Sequence, residues 1–253
     1  MNRRLYISEN PKSPVAEAYR TLRTNLQFSN IDGTLKRIAI TSPGAGAGKS
    51  TTSANLALAL AKSDKRVCLV DIDLRKPRQH EIFDVSNRFG LTNALLDPTD
   101  ITRHLKRTEH ENLQLMTTGP IPPNPSELIG SKAMDAVLGE LEKEFDVVIF
   151  DTPPVGMVTD AAVLSPKMNG VMLVCAAGET DIKGAEYAKK LLDNVGARIL
   201  GVVLNKIPVH QGGYYKYHYN SYYSGYYEDQ PKEKKGLSKL FGSKKRKQVS
   251  AFD

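Results

Sequence analysis

Up to residue 207 the hydrophobic residues fall in short continuous runs separated by longer segments of mixed pattern. The β-rich runs at 37–41, 67–71, 113–117, 147–151, 171–176 and 199–205 predict six strands. Between most of them lie amphipathic or Ala/Leu-rich stretches, at 50–62, 131–144 and 181–194, that predict helices. Apolar strands alternating with helices predict βαβ units and an α/β fold: a mostly parallel sheet with helices on both faces. A further helix is predicted before the first strand, with Ser13 as its N-cap and Pro14 in the first helical position. Its apolar stripe reads Val15, Tyr19, Leu22 and Leu26, and Glu17, Arg20 and Arg23 follow one another at three-residue intervals on an adjoining face. Ligands of such sheets sit beyond the carboxyl ends of the strands, so the chemistry is expected there.

Composition narrows the class. The 253 residues are 40% hydrophobic, without Trp and with two Cys. That excludes disorder throughout, a collagen repeat and a disulfide scaffold. Cys68 and Cys175 lie in apolar strand-like runs and read as buried thiols rather than a disulfide or metal pair. The longest apolar runs, 56–61 and 171–177, fall far short of the ~20 residues a bilayer span needs, and the N-terminus has no apolar core of a signal peptide. The formal charge of +7 is unevenly spread. Residues 208–253 hold nine Lys/Arg against four Asp/Glu, and eight of the eleven Tyr fall between Tyr214 and Tyr227.

The first predicted strand runs into Thr41-Ser-Pro-Gly-Ala-Gly-Ala-Gly-Lys-Ser-Thr51 and then a helix. The small residues Gly44, Ala45, Gly46, Ala47 and Gly48 let backbone N–H groups close around phosphate oxygens. Lys49 can reach the terminal phosphates, Ser50 offers a hydroxyl to Mg²⁺, and Thr51 completes the motif. The strict pattern wants Gly where Pro43 stands; the strand–loop–helix context compensates. The fold is therefore expected to be P-loop NTPase-like.

Carboxylates close two other strands: Asp71 and Asp73 in Leu69-Val-Asp-Ile-Asp-Leu-Arg75, and Asp151 in Val147-Val-Ile-Phe-Asp-Thr-Pro-Pro154. Acidic residues at parallel strand ends can converge on a metal held beside a phosphate loop. Phosphoryl transfer needs charge neutralised, the donor aligned and a nucleophile oriented or deprotonated. Lys49 and Mg²⁺ suit the first task, and Asp151 is expected to hold the metal directly or through water. Asp71 or Asp73 then remains to accept a proton, and either would serve a tyrosine hydroxyl, whose ordinary pKa is ~10.

With these motifs in order, the chain resembles the bacterial protein-tyrosine kinases (BY-kinases) of capsule and exopolysaccharide clusters, over roughly residues 10–230. Glu17-x-x-Arg20-x-x-Arg23 resembles the family's ring-forming interface motif, and Thr118-Gly-Pro-Ile-Pro-Pro-Asn-Pro-Ser-Glu-Leu128 also looks characteristic of it. The resemblance implies an ATP- and Mg²⁺-dependent tyrosine autokinase, with Lys49, Ser50, Asp71, Asp73 and Asp151 as nucleotide, metal and catalytic residues. Asn205 resembles the adenine-side Asn of this fold; a strand-end turn residue is the plainer reading. The resemblance further implies a ring of subunits (eight in the family), a membrane adaptor of the polysaccharide co-polymerase type, an opposing tyrosine phosphatase, and a cytoplasmic location at the inner face of the plasma membrane. The rival is a nucleotide-switched partitioning or assembly ATPase. Those carry an extra lysine early in the loop, at the position of Gly44, whereas no lysine stands here between Arg37 and Lys49.

Three regions result: 1–35, a helical segment with the oligomerisation motif; 36–207, the kinase domain; and 208–253, a mobile tail. Tyr214, Tyr215, Tyr217, Tyr219, Tyr222, Tyr223, Tyr226 and Tyr227 fit no helix or strand period and are the expected phosphoacceptors. Each phosphate would add about −1.5 to −2 charges at pH 7, so several would outweigh the tail's positive charge and loosen a ring. The Lys-rich stretch 232–247, with Leu237, Leu240 and Phe241, suits either anionic lipid or solubility alone. Nucleic acid is the weaker reading, because the aromatics and cations are segregated.

Overall fold

Seven strands among the described residues form one sheet: β1 (Arg37–Thr41), β2 (Val67–Asp71), β3 (Lys106–Arg107), β4 (Leu113–Met116), β5 (Val147–Asp151), β6 (Gly170–Ala176) and β7 (Ile199–Asn205). Their order is β3-β4-β2-β5-β1-β6-β7. Every pairing is parallel except the short β3 against β4. The computed structural model describes residues 5–29, 33 and 35–207. The described residues up to Ile207 form one compact unit. The eight candidate acceptor tyrosines and the basic stretch lie outside the described residues.

The helices are α1 (Tyr6–Glu9), α2 (Pro14–Phe28), α3 (Lys49–Ala61), α4 (Gln79–Phe83), α5 (Leu91–Ala94), α6 (Pro125–Gly130), α7 (Lys132–Glu144), α8 (Asp160–Leu164) and α9 (Ile182–Asn194). Successive strand residues point to opposite faces, so one strand feeds two cores. Ile38, Ile40, Val67, Leu69, Ile149, Met172 and Val174 pack with the helical residues Ile7, Tyr19, Leu26 and Leu56. Ala39, Cys68, Val70, Phe150, Val171 and Leu173 face the other way, onto Leu138, Leu141, Leu164, Ala188 and Leu192. Burial on both faces is why these strands read as unbroken apolar runs. Cys68 and Cys175 are free and buried on the second face.

Helix α3 is buried from Thr52 to Ala61 without a break. It lies under α1 and α2, and an all-round Ala/Leu surface suits a helix covered on both sides. Asn55 Oδ1 accepts from the Ile7 N–H at 3.2 Å, and Lys62 Nζ donates to the Ile7 carbonyl at 3.1 Å, so α1 is clipped to α3.

Three sequence expectations need adjustment. The sheet has a seventh strand, β3, whose two charged residues carry no apolar signal; such charge blunts an exposed edge. The buried stripe of α2 is Ala16, Tyr19 and Leu26, and Val15 is exposed. The small Ala16 side chain lets α2 approach its neighbour closely, while Val15 is turned to solvent. Strand β7 is only partly covered: Leu200 and Val203 meet the core, but Val202 and Leu204 are exposed.

Candidate active site

The loop between β1 and α3 carries Gly44, Ala45, Gly46, Ala47 and Gly48. Lys49 opens α3, with Ser50 and Thr51 in its first turn. Gly46 and Gly48 have φ of 82° and 90°, a conformation open to glycine at little cost. At Gly48 there is also no room: a Cβ would lie 2.1 Å from Asn205 Nδ2. Asn205, the last residue of β7, donates from Nδ2 to the Ala47 carbonyl at 2.9 Å and so braces the loop from the side. On the other flank the Val155 N–H donates to the Ser42 carbonyl at 3.0 Å and to Thr41 Oγ1 at 3.1 Å.

The three carboxylates lie at the same end of the sheet. Register places Asp71 directly beside Asp151 on neighbouring strands. Asp71 is fully buried: Oδ1 accepts from the Asp73 N–H at 3.1 Å, and Oδ2 from the Arg78 and Gln79 N–H groups at 3.0 and 2.9 Å. It thereby folds the segment 72–79. Burial, then the charge of Asp151, pushes its carboxyl up to about 8 against the hydrogen bonds from Gln79 and Arg78. Burial likewise raises Asp151, with Lys49 opposing. Asp73 is placed differently, with Oδ2 on Lys49 Nζ at 2.9 Å and Oδ1 on the Lys76 N–H at 3.0 Å. Burial alone would lower the Lys49 pKa, but Asp151, Asp73 and Asp71 outweigh it and hold the ammonium charged.

Two features of the site have no counterpart in the sequence reading. Gln79, wholly buried at the start of α4, donates from Nε2 to Asp151 Oδ2 at 2.8 Å and to the Ser50 carbonyl at 3.0 Å. Its Oε1 is buried and accepts no hydrogen bond. Arg75 pairs with Asp160, Nε to Oδ2 at 2.8 Å and Nη2 to Oδ1 at 3.3 Å, and Ser126 Oγ donates to Asp160 Oδ1 at 2.7 Å. That contact gives 118–128 a physical role: it carries the chain from β4 to α6 and delivers Ser126 to the buried Asp160. Arg75 already stood in the second motif; Gln79 and Asp160 were single polar residues with no local signal.

Glu17, Arg20 and Arg23 lie on α2, away from this cluster. Arg20 Nη1 pairs with Glu17 Oε2 at 2.6 Å, and Arg23 Nη1 donates to the Ala59 carbonyl at 3.2 Å, near the far end of α3 from Lys49.

Among the described residues no three His, Cys, Asp or Glu side chains form a cation cage by themselves. The donor set still suits Mg²⁺, which is usually bound through one or two carboxylates, water and substrate phosphates rather than an all-protein cage. Asp151 and the Ser50 hydroxyl are such donors, and Gln79, whose Nε2 meets both Asp151 and the Ser50 carbonyl, carries a buried oxygen without a partner.

Residues 34–219 match a family model described as ParA, NUBPL iron-transfer P-loop NTPase. The tyrosine-protein kinase YwqD of Bacillus subtilis is 41% identical over 218 residues, which is 85% of this chain and 92% of that protein. The chain belongs to the bacterial tyrosine-protein kinase family. Among solved structures, the chimerical protein CapA2B2 is 42% identical with a TM-score of 0.78, covering 81% of this chain and 90% of that one. The kinase domain of the Escherichia coli tyrosine kinase ETK, also at a TM-score of 0.78, is 32% identical over 83% of each chain. Within the P-loop NTPases these relatives place the chain with the tyrosine kinases rather than with a partitioning ATPase. No helix among the described residues is long and apolar enough to cross a membrane.

Proposed function

We propose that this kinase binds ATP with Mg²⁺ in the loop 44–51 and transfers the γ-phosphoryl group to tyrosines of its own tail, in the service of capsule or exopolysaccharide synthesis and export. The observation that carries the reading is the ion pair of Lys49 with Asp73 beside the loop, in a chain whose relatives are tyrosine kinases. The N–H groups of Gly44 to Thr51 cradle phosphate, and Lys49 leaves Asp73 to meet phosphate oxygens. Asn205 keeps the loop closed and faces the base side. Mg²⁺, when bound, supplies charge neutralisation on the phosphates, with Ser50 and Asp151 as its side-chain partners. In the transfer the bond from the γ-phosphorus to the bridging oxygen breaks, a bond to the phenolic oxygen forms, and ADP departs. The phenolic proton goes to a carboxylate. Asp73 suits that role better than Asp71, whose two oxygens are already engaged by three backbone N–H groups. Asp71 then shapes the segment 72–79 through those backbone hydrogen bonds.

The acceptors in this reading are Tyr214, Tyr215, Tyr217, Tyr219, Tyr222, Tyr223, Tyr226 and Tyr227. A tail entering a neighbour's site requires a ring built through Glu17, Arg20 and Arg23, and eight subunits is the size we infer from the family pattern. A membrane adaptor would hold the kinase at the inner face of the plasma membrane and stimulate it, and a tyrosine phosphatase would reset the tail. Replacing all eight tyrosines by Phe tests the acceptor assignment. Loss of phosphotyrosine, with ADP binding retained, is the expected result. Undiminished phosphotyrosine would move the acceptors elsewhere.

A further inference from the structure

Gln79 joins the three motifs at one residue. Its backbone N–H meets Asp71, its side chain meets Asp151, and the same side chain reaches the Ser50 carbonyl in the first turn of α3. The amide orientation is fixed by these neighbours: the Ser50 carbonyl can only accept, so the nitrogen faces it and the oxygen faces away. Asp151 Oδ2 is thereby tied at 2.8 Å, while Oδ1 takes a long contact from Ser53 Oγ at 3.4 Å and the Ser50 hydroxyl also bonds the carboxylate. A buried amide oxygen without a donor costs stability, and a water, an ion or a functional role accounts for such a group.

Resting on the Mg²⁺–nucleotide reading above, we propose that Gln79 is a positioning residue for the cation: it locks Asp151 so that Oδ1 is presented to Mg²⁺, and offers its own bare oxygen to the cation's hydration shell. The plainer role, a clip holding the segment 72–79 against α3, uses the same nitrogen but gives the oxygen nothing to do. The two differ in what a substitution does to Mg²⁺. Removing the partner that orients a metal-binding side chain costs about 10–100-fold in metal affinity. A lost clip would weaken nucleotide binding with and without the cation alike.

The test is calorimetric titration of ADP into the full chain, with Mg²⁺ and with chelator, for wild type, Gln79→Met and Gln79→Asn. Met keeps the length without polar atoms, and Asn keeps the amide but falls short of Asp151. The expected result is an unchanged ADP affinity in chelator and a gain on adding Mg²⁺ that is about tenfold or more smaller than wild type. If Met at this buried position prevents folding, the Asn variant decides alone. An undiminished gain, or equal loss with and without Mg²⁺, overturns the proposal. A wild-type chain whose ADP affinity ignores Mg²⁺ would overturn the nucleotide reading itself, a result separable from indifferent variants of a responsive wild type.

Discussion

Gly48 joins two constraints that can be measured apart. Substituting Ala places a Cβ at φ 90°, which costs roughly 1–2 kcal/mol for an L-residue. The new atom would also lie 2.1 Å from Asn205 Nδ2, so Asn205 must swing away and give up its bond to the Ala47 carbonyl, a loss of about 0.5–1.5 kcal/mol. Together Gly48→Ala is expected to destabilise by about 1.5–3.5 kcal/mol, a fall in Tm of roughly 3–14 °C for a domain of this size. In an Asn205→Ala background the steric part is gone and only the backbone strain remains. Urea unfolding of the wild type, both single variants and the double variant closes the cycle. The expected coupling is about 1 kcal/mol, against the ~0.3–0.5 kcal/mol within which independent sites add. Additivity within that margin would refute the claim that Asn205 and the loop glycine are fitted to each other.

Asp71 makes stability pH-dependent. Its carboxyl rises from 3.8 to about 8 on folding, so between those values the folded chain holds a proton the unfolded chain has released, and stability falls as pH rises through that window. Thermal unfolding from pH 5 to 8 without Mg²⁺ or nucleotide should show this fall, and Asp71→Asn should flatten it even though its NH₂ must face a backbone donor. Asp160→Ala removes the buried acceptor of Arg75 and Ser126 and should cost about 1–3 kcal/mol, toward the lower end because the Arg75 side chain is 41% exposed. Urea unfolding measures it, with Asp160→Asn expected to cost less. Ser13→Ala deletes the cap bond from the Ala16 N–H at 3.2 Å and should lower stability by about 1 kcal/mol in the same assay, with ADP affinity unchanged.

What the sequence could reveal follows from where each signal is local. Strands buried on both faces announce themselves as apolar runs, so β1, β2, β5 and β6 are legible, and β7 keeps such a run although Val202 and Leu204 are exposed. Lys106 and Arg107 pair through their backbones alone and leave no pattern. Helices of four to six residues, such as α4, α5 and α8, complete too few turns for a period to emerge. In α2 the cap and the first-position Pro are legible, but the choice between Val15 and Ala16 depends on how closely α3 approaches. The loop 44–51 and the aspartates at strand ends form contiguous motifs. Gln79 and Asp160 act on partners 72 and 85 residues away in sequence, so only folding reveals them.

Phosphoryl transfer from ATP to tyrosine through Lys49 is the proposed reaction. Incubating the full chain with γ-labelled ATP, Mg²⁺ and an adaptor-derived cytosolic peptide, then mapping the label, tests it directly. Label is expected on tyrosines between Tyr214 and Tyr227, and is expected to be lost in Lys49→Met. Free labelled phosphate with an unlabelled chain, or label undiminished in Lys49→Met, would contradict it.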